Sequence, residues 1–410
     1  MSEQSPFSTG TVLDELWNRG FIKQSIRPKE LEAKMEAGSI RFYIGFDPTG
    51  DCLHVGHLLP IMCMAWLQKM GGHHPIIVLG GGTAMVGDPS GKDKTREMLT
   101  NEKIQSNLEA MRPLFGRFVD LENATMLNNA DWLQSLNYIR FLRDIGRHFS
   151  VNTMIKAEGA KQRLERGQGY SFIEFNYHLL QSYDFLHLFK NEDCLLQVGG
   201  DDQWFHFTGG AELIRKETGK DAYAFTIPLL ATSDGKKMGK TEKGAVWIEA
   251  SRLSVYDYYQ YWVNVTDADV IKLMKLYTFM PLSEIAEYSN LQGADIRQAK
   301  QKLALEATAL AHGMDEAKKA QDAAKAAFSG GQTAEMPSID VAVSENIIDV
   351  LVRSGLCKSK GDARRQMKGG AIKYDAGDGK KAISDIAYTI DVDGVLWFGK
   401  KRCVRVEIQG

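Results

Sequence analysis

The chain alternates short, wholly apolar runs with longer stretches whose apolar residues recur every three or four positions. The first pattern marks strands buried on both faces, the second helices packed along one side. Gly10 to Gly38 reads as helix, with Leu13, Leu16 and Trp17 on one side. Ile40–Phe46 then reads as a buried strand, Leu58–Met70 as a helix and Pro75–Leu79 as a second buried strand, with Gly80-Gly81-Gly82 at its exit. Strand, helix, strand with glycine at the strand ends is the βαβ unit of an open parallel sheet. Further on, 101–118 reads as helix, Ala124–Asn128 as a short strand, Leu133–Phe149 as helix and Lys156–Gly169 as a charged helical surface insertion. Phe172–Lys190 is a periodic helix and Cys194–Val198 another buried strand. Everything from Leu253 to about Ser329 is helix-like, and Ser329–Pro337, rich in Gly and polar residues, reads as a linker. Beyond it, helices at Glu345–Ser354 and Lys360–Lys368 and short strands at Ala371–Tyr374, Tyr388–Ile390, Val395–Phe398 and Cys403–Ile408 make a small α+β module.

A length of 410 residues exceeds one compact domain. The opening residues, MSEQSPFSTG, lack the basic and apolar regions of a secretory signal, and no run approaches the roughly 20 apolar residues of a membrane span, so a cytoplasmic protein without a membrane partner is expected. The five cysteines are scattered and never form CxxC, which argues against a disulfide framework and a structural zinc site. Net charge is only −2, yet from Val341 onward 13 Lys and Arg face 9 Asp and Glu. The tail therefore suits a phosphate backbone although the average composition does not.

Four stretches carry candidate chemistry. His54-Val-Gly-His57 stands where the first strand hands over to a helix, a place where free helix N–H groups and imidazoles can meet phosphate charge; the plain alternative is a pair of helix-surface or core histidines. Tyr177, Gln181 and Asp184 fall at i, i+4 and i+7 on one helical face, either solvated or surrounding a polar ligand. Gly199-Gly-Asp-Asp-Gln-Trp204 ends a strand, so Asp202 and Gln203 could meet ribose hydroxyls or merely cap a helix. Thr232–Thr241 holds Lys236, Lys237 and Lys240 together with Gly235 and Gly239, a solvated charge run or a phosphate clamp. Gly87–Lys92 resembles a phosphate loop but fails the spacing, because Val86 and Asp93 stand where glycine and Ser/Thr are required.

In this order, H-x-G-H, the Gly-Gly-Asp-Asp-Gln-Trp run and Lys-Met-Gly-Lys-Thr together resemble the class I aminoacyl-tRNA synthetases with their HIGH-type and KMSKS-type sequences. Tyr43-Ile-Gly-Phe-Asp-Pro-Thr, Gly87-Asp-Pro-Ser-Gly-Lys and Phe175–Asp184 narrow the resemblance to the bacterial tyrosyl enzymes, and the tail around Leu356–Gly370 is similar to an RNA-binding module of the ribosomal-protein type. The resemblance implies an α/β fold: a Rossmann-like doubly wound parallel sheet over residues 1–245 with a helical insertion around 130–170. An α-helical anticodon-side domain over 246–330, a linker over 331–343 and the RNA-binding module over 344–410 would follow. It implies that Tyr43 and Asp184 bind the substrate phenol and that Asp88, Tyr177 and Gln181 hold its ammonium group. Asp47, Asp202 and Gln203 would orient tyrosine and the ATP ribose. Thr49, His54, His57, Lys237 and Lys240 would surround the triphosphate, with Gly45, Gly56, Gly200 and Met238 also on the ATP side. Arg364, Arg365 and Lys368 would face tRNA. The implied partners are tRNA(Tyr), L-tyrosine, ATP with its Mg2+ and a second copy of the chain, with the interface around 130–165. The sequence departs from the family at Ile44, often cysteine there, and at Gly239, which replaces the serine of KMSKS and adds loop freedom. A tryptophan-type synthetase, or a non-catalytic RNA-binding protein on the same scaffold, stays open on sequence alone.

Overall fold

Strands β1 (Gln24–Ile26), β2 (Arg41–Phe46), β3 (His74–Leu79), β4 (Thr125–Asn128), β5 (Cys194–Gly200) and β6 (Tyr223–Ile227) form one sheet in the order β1-β6-β5-β2-β3-β4. The computed structural model describes residues 4–48, 50–88, 100–156, 158–165, 167, 171–231, 233, 238–241, 244–329, 337–399 and 402–409. All pairings in this sheet are parallel except that of β1 with β6. The chain steps outward from β2 through β3 to β4, then returns to lay β5 on the other side of β2. The winding therefore reverses between β2 and β5, and a doubly wound sheet opens its ligand crevice at the carboxyl ends of such a pair. Phe42, Ile44, Ile76, Ile77, Leu196 and Val198 are buried, as expected for strands covered on both faces.

Several elements differ from the sequence pattern. The helix expected from Gly10 to Gly38 is two helices, Val12–Arg19 and Pro28–Ala37, with β1 between them. Gly20 ends the first in the left-handed region at φ 89°, and Pro28 at the first position starts the second. Three residues are too few to show a strand period, and β1 owes its form to its pairing with β6, Gln24 opposite Thr226. Leu133–Phe149 is likewise broken into Ala130–Leu133, Tyr138–Asp144 and a turn at Gly146–His148. Asn137 supplies the cap that restarts the helix, its side chain accepting from the Arg140 N–H.

Contacts divide the chain into two compact units, Met1–Glu249 with Thr266–Ile296, and Ala250–Val265 with Arg297–Gly410. In the first, Phe279 packs edge to face on Trp66 of the Val55–Lys69 helix, ring centres 5.1 Å apart. The buried Arg19 lies over the same indole at 4.0 Å and donates to the carbonyls of Lys275 and Met280 at 3.1 and 2.6 Å. These contacts draw 266–296 into the sheet unit, a division that unbroken helical periodicity does not reveal. In the second unit, a five-stranded sheet runs Lys381–Ala382, Ile372–Asp375, Gly394–Phe398, Arg402–Gln409, Ser338–Ala342. The last of these pairs parallel to Arg402–Gln409 although it falls inside the expected linker, because Ile339 and Val341 alternate into the core with Ile347, Met367, Leu396 and Val406. Residues 330–336 of that linker lie outside the described residues. Among the described residues, no helix is long and apolar enough to cross a membrane.

Candidate active site

β2 and β5 end side by side, and beyond their ends lies a cavity of about 190 Å³. Tyr43, Asp47, Asp88, Tyr177, Gln181, Asp184 and Gln203 all line it, together with Gly45 and Gly200. The Phe172–Asn191 helix that supplies three of them is started by a capping box, in which the Glu174 N–H donates to Ser171 Oγ and the Ser171 N–H to Glu174 Oε2. Its polar stripe faces inward: Tyr177 and Asp184 are each 4% exposed. The choice between a solvated face and a ligand face is thus decided by packing.

At the floor of the cavity, Trp132 Nε1–H donates to Asp184 Oδ1 at 2.7 Å and Asn129 Nδ2–H to Oδ2 at 3.0 Å. Asn129 is itself held, its Oδ1 accepting from the Gly82 N–H at 2.7 Å. Burial pushes the Asp184 carboxyl up to about 7 against the pull of these two donors. The Tyr43 hydroxyl beside it is also driven up, by burial first and the Asp184 charge second, and among the described residues its Oη has no hydrogen-bond partner. Nearer the strand exits, Gln203 Nε2 donates to Asp88 Oδ2 at 3.0 Å, and Gln181 Oε1 is buried without a partner among the described residues. Burial, then the charges of Asp47, Asp88 and Asp184, raises the Tyr177 hydroxyl.

The turn Asp201–Gln203 is fixed from behind. Asp201 accepts from Lys23 Nζ at 2.6 Å, Gln24 Nε2 at 2.7 Å and Thr226 Oγ1 at 2.7 Å. Asp202 folds back on Gly200, where a Cβ would lie 2.6 Å from its Oδ1, and burial followed by the Asp88 charge raises its carboxyl. Any side chain at 200 would displace that carboxylate, and glycine leaves it in place.

His54 and His57 open the Val55–Lys69 helix with their rings stacked, centres 3.8 Å apart at 19°. The Gly56 N–H donates to His54 Nδ1 at 3.0 Å and the His54 N–H to His57 Nδ1 at 3.1 Å. Two backbone donors thereby fix both Nδ1 atoms as acceptors, and each neutral ring carries its proton on Nε2. Burial, then the neighbouring His54, pushes His57 down to about 3, so it is neutral at working pH. The helix start does not offer its first N–H groups freely, contrary to expectation. Val55 donates to the Val246 carbonyl at 2.9 Å and Gly56 to the His54 ring at 3.0 Å, so both N–H groups are already engaged.

Met238 and Gly239 lie against this turn. Gly239 has φ +80°, and a Cβ on it would stand 2.6 Å from the Gly56 nitrogen. Beyond any loop freedom it adds, Gly239 suits this conformation sterically, since left-handed backbone and close approach both favour glycine. Thr49 and Lys237 lie outside the described residues, as does the side chain of Lys240, whose backbone pairs with Ala245. Arg364, Arg365 and Lys368 are exposed on the Lys360–Lys368 helix, which buries Ala363 and Met367 on its other side. Sequence reading missed Asn129, Trp132 and Gln197, all of which bear on the cavity floor. The legible signals were paired asparagines at the exit of β4 and a glutamine inside the apolar run of β5.

Residues 35–329 match the family described as tRNA synthetases class I (W and Y). A tyrosine--tRNA ligase of Acetivibrio thermocellus is 52% identical over 373 residues, covering 89% of this chain and 91% of that one. Tyrosine--tRNA ligase 1 of Clostridium acetobutylicum is 49% identical over 410 residues, covering 97% and 99%. Among solved structures, a C-terminally truncated mitochondrial tyrosyl-tRNA synthetase of Aspergillus nidulans superposes with a TM-score of 0.67 at 30% identity, covering 76% of this chain and 93% of that one. The chain belongs to the class I aminoacyl-tRNA synthetases of the tryptophan and tyrosine type. Within that class its family is the tyrosine--tRNA ligases, as the half-identical relatives over nearly its whole length establish.

Proposed function

We infer that this chain performs the reaction of its family: L-tyrosine and ATP give tyrosyl-adenylate and pyrophosphate, and the tyrosyl group passes to the terminal adenosine of tRNA(Tyr). The observation that carries the reading is Asp184, a buried carboxylate held by two donors at the floor of a polar cavity with the unpartnered Tyr43 hydroxyl beside it. Such a floor suits a phenol and rejects an apolar ring, which would leave both groups unpaired. Tyrosyl-tRNA synthetases are already known to discriminate against phenylalanine by about 10⁵ without editing, and unpaired buried polar groups are the accepted cause. Asp88, Tyr177 and Gln181 then receive the ammonium group, with Asp47 and Gln203 orienting the amino acid and Asp202 the ribose.

In the first step the tyrosine carboxylate attacks the α-phosphorus of ATP in line and pyrophosphate leaves. Charge grows on the phosphoryl oxygens, and donors aimed at them lower the barrier. The Nε2–H groups of His54 and His57, held in the right tautomer by their own capping box, are such donors; Thr49, Lys237 and Lys240 add to them. Gly45, Gly56 and Gly200 leave room for the nucleotide, and Met238 shapes its edge. Mg2+ would arrive with the triphosphate, whose hard oxygens bind it. Among the described residues, no group of three or more His, Cys, Asp or Glu side chains could hold a metal ion.

The working division is a catalytic part over 1–245, a helical anticodon-side part over 246–330 and an RNA-binding module over 344–410, with Arg364, Arg365 and Lys368 meeting tRNA phosphates. The enzyme acts in the cytoplasm as a homodimer. Supporting the dimer are Tyr138, Ile139, Val151, Ile155, Phe172 and Ile173, all exposed within one stretch of chain. ATP–pyrophosphate exchange with each amino acid tests the reading: tyrosine alone should support exchange, and activity with tryptophan instead, or with none, refutes it.

A further inference from the structure

Asp201 precedes Asp202 in the turn at the end of β5, yet it is not among the residues that line the cavity. Its carboxylate reaches instead to the corner where the edge strand β1 pairs with β6. Thr226 Oγ1 donates to Asp201 Oδ1 at 2.7 Å and itself accepts from the Gln24 N–H at 3.2 Å, so the carboxylate and the β1–β6 pairing form one network. Gln24 Nε2 donates to the same oxygen at 2.7 Å and Lys23 Nζ to Oδ2 at 2.6 Å. Against burial, these three donors hold the Asp201 carboxyl below the ordinary aspartate value. Lys23 is exposed and its ion pair adds little, so the bonds from Gln24 and the buried Thr226 carry the anchor.

The turn has few ties of its own. Asp201–Gln203 is three residues of 3-10 helix without a side-chain cap, closed by the Trp204 N–H on the Asp201 carbonyl. Gln203 is also tied to Asp88, whereas Asp202 is pushed by it: burial and then the Asp88 charge raise the Asp202 carboxyl. We propose that Asp201 is a positioning residue for the nucleotide, tying the turn to the β1–β6 corner and so setting the aim of the Asp202 carboxylate at the ATP ribose. This rests on the reading of Asp202 as the ribose partner. The three-residue strand β1 thereby takes part in nucleotide binding without touching the nucleotide.

The test is pyrophosphate exchange with ATP, 2′-deoxy-ATP and 3′-deoxy-ATP for the wild type, Asp201→Ala, Asp201→Asn, Thr226→Val and Asp202→Ala. A misaimed Asp202 leaves one ribose hydroxyl without its partner. Asp201→Ala should therefore lose roughly tenfold in kcat/KM for ATP, the worth of one hydrogen bond, and little for the deoxynucleotide that lacks that hydroxyl. Thr226→Val removes one donor at nearly constant shape and should shift the same ratio by less. Asp201→Asn keeps an acceptor for Gln24 and Thr226 and should restore part of it. KM for tyrosine at saturating ATP should stay within about twofold, because Gln203 keeps its tie to Asp88. The ratio is taken within one preparation, so a loss of folded enzyme cancels. Equal losses for ATP and both deoxynucleotides, or a KM for tyrosine that rises in step, overturn the proposal. If the ratio falls for Asp202→Ala but not for Asp201→Ala, the ribose reading stands and the role of Asp201 falls. If it moves in neither, the ribose partner is wrongly assigned and the proposal falls with it.

Discussion

The backbone of Gly239 rests on Gly56, so close that a methyl group at 239 would lie 2.6 Å from the Gly56 nitrogen. The loop that carries Lys240 is thereby held against the turn that carries both histidines. Any residue but glycine must both strain a φ of +80° and push the two backbones apart. Gly239→Ala should therefore slow adenylate formation by roughly tenfold or more while leaving tyrosine affinity in place. Single-turnover kinetics with tyrosine and ATP reads both quantities, and a wild-type rate would show that the docked arrangement is not used in the reaction.

Trp132 acts through Asp184. Trp132→Phe keeps the ring but removes one of the two donors holding a buried carboxylate, a loss of about 1 to 3 kcal/mol. The expected outcome is a raised KM for tyrosine and weaker discrimination against phenylalanine, with KM for ATP nearly constant. Exchange kinetics with the two amino acids would expose an error here as a change confined to ATP.

On the proposed mechanism, His54 offers its ring N–H to phosphoryl oxygen and Lys237 its charge. His54→Ala and Lys237→Ala should each lower the rate of adenylate formation by on the order of 10² or more, with tyrosine binding preserved. Tyrosine binding that weakens in parallel would point to structural damage instead.

The buried, neutral His57 gives stability a definite pH dependence. Its folded pKa, about 3, lies below the ordinary histidine value, so the unfolded chain binds the proton first as pH falls. Its contribution is complete above about pH 6.5 and declines as pH falls toward 3, by about 2 kcal/mol between pH 6.5 and 5. His178, buried and pushed down to about 2, adds a slope of the same sign, and Asp184, pushed up to about 7, one of the opposite sign. The test is therefore the difference between wild type and variant. Measured by urea unfolding, the change in stability from pH 7 to pH 5 should be about 2 kcal/mol less unfavourable for His57→Gln than for the wild type.

Replacing Arg364, Arg365 or Lys368 by alanine should weaken tRNA binding and reduce its salt slope by about 1 per residue that contacts phosphate. Exchange of pyrophosphate, which needs no tRNA, should be unaffected. Filter binding at several salt concentrations checks this, and an unchanged slope would remove the helix from the RNA surface.

Sequence alone determined the parts whose physics is local. Buried apolar runs announced β2, β3 and β5, glycines marked their exits, and the spacing of Tyr177, Gln181 and Asp184 put three polar groups on one helical face. Motif order pointed to the family before any geometry was in hand. What sequence could not decide was which way that face turned, because a polar stripe has the same period whether water or a ligand covers it. Only packing against the sheet closed the stripe over a cavity. Tertiary structure also supplied Asn129, Trp132 and Gln197, brought to the cavity from the exit of β4, the Ala130–Leu133 helix and β5 by strand pairing over long stretches of chain. It made a strand of β1, whose three residues carry no period of their own. And it showed Gly239 to be a steric necessity against Gly56, a contact between positions 183 residues apart that no local pattern encodes.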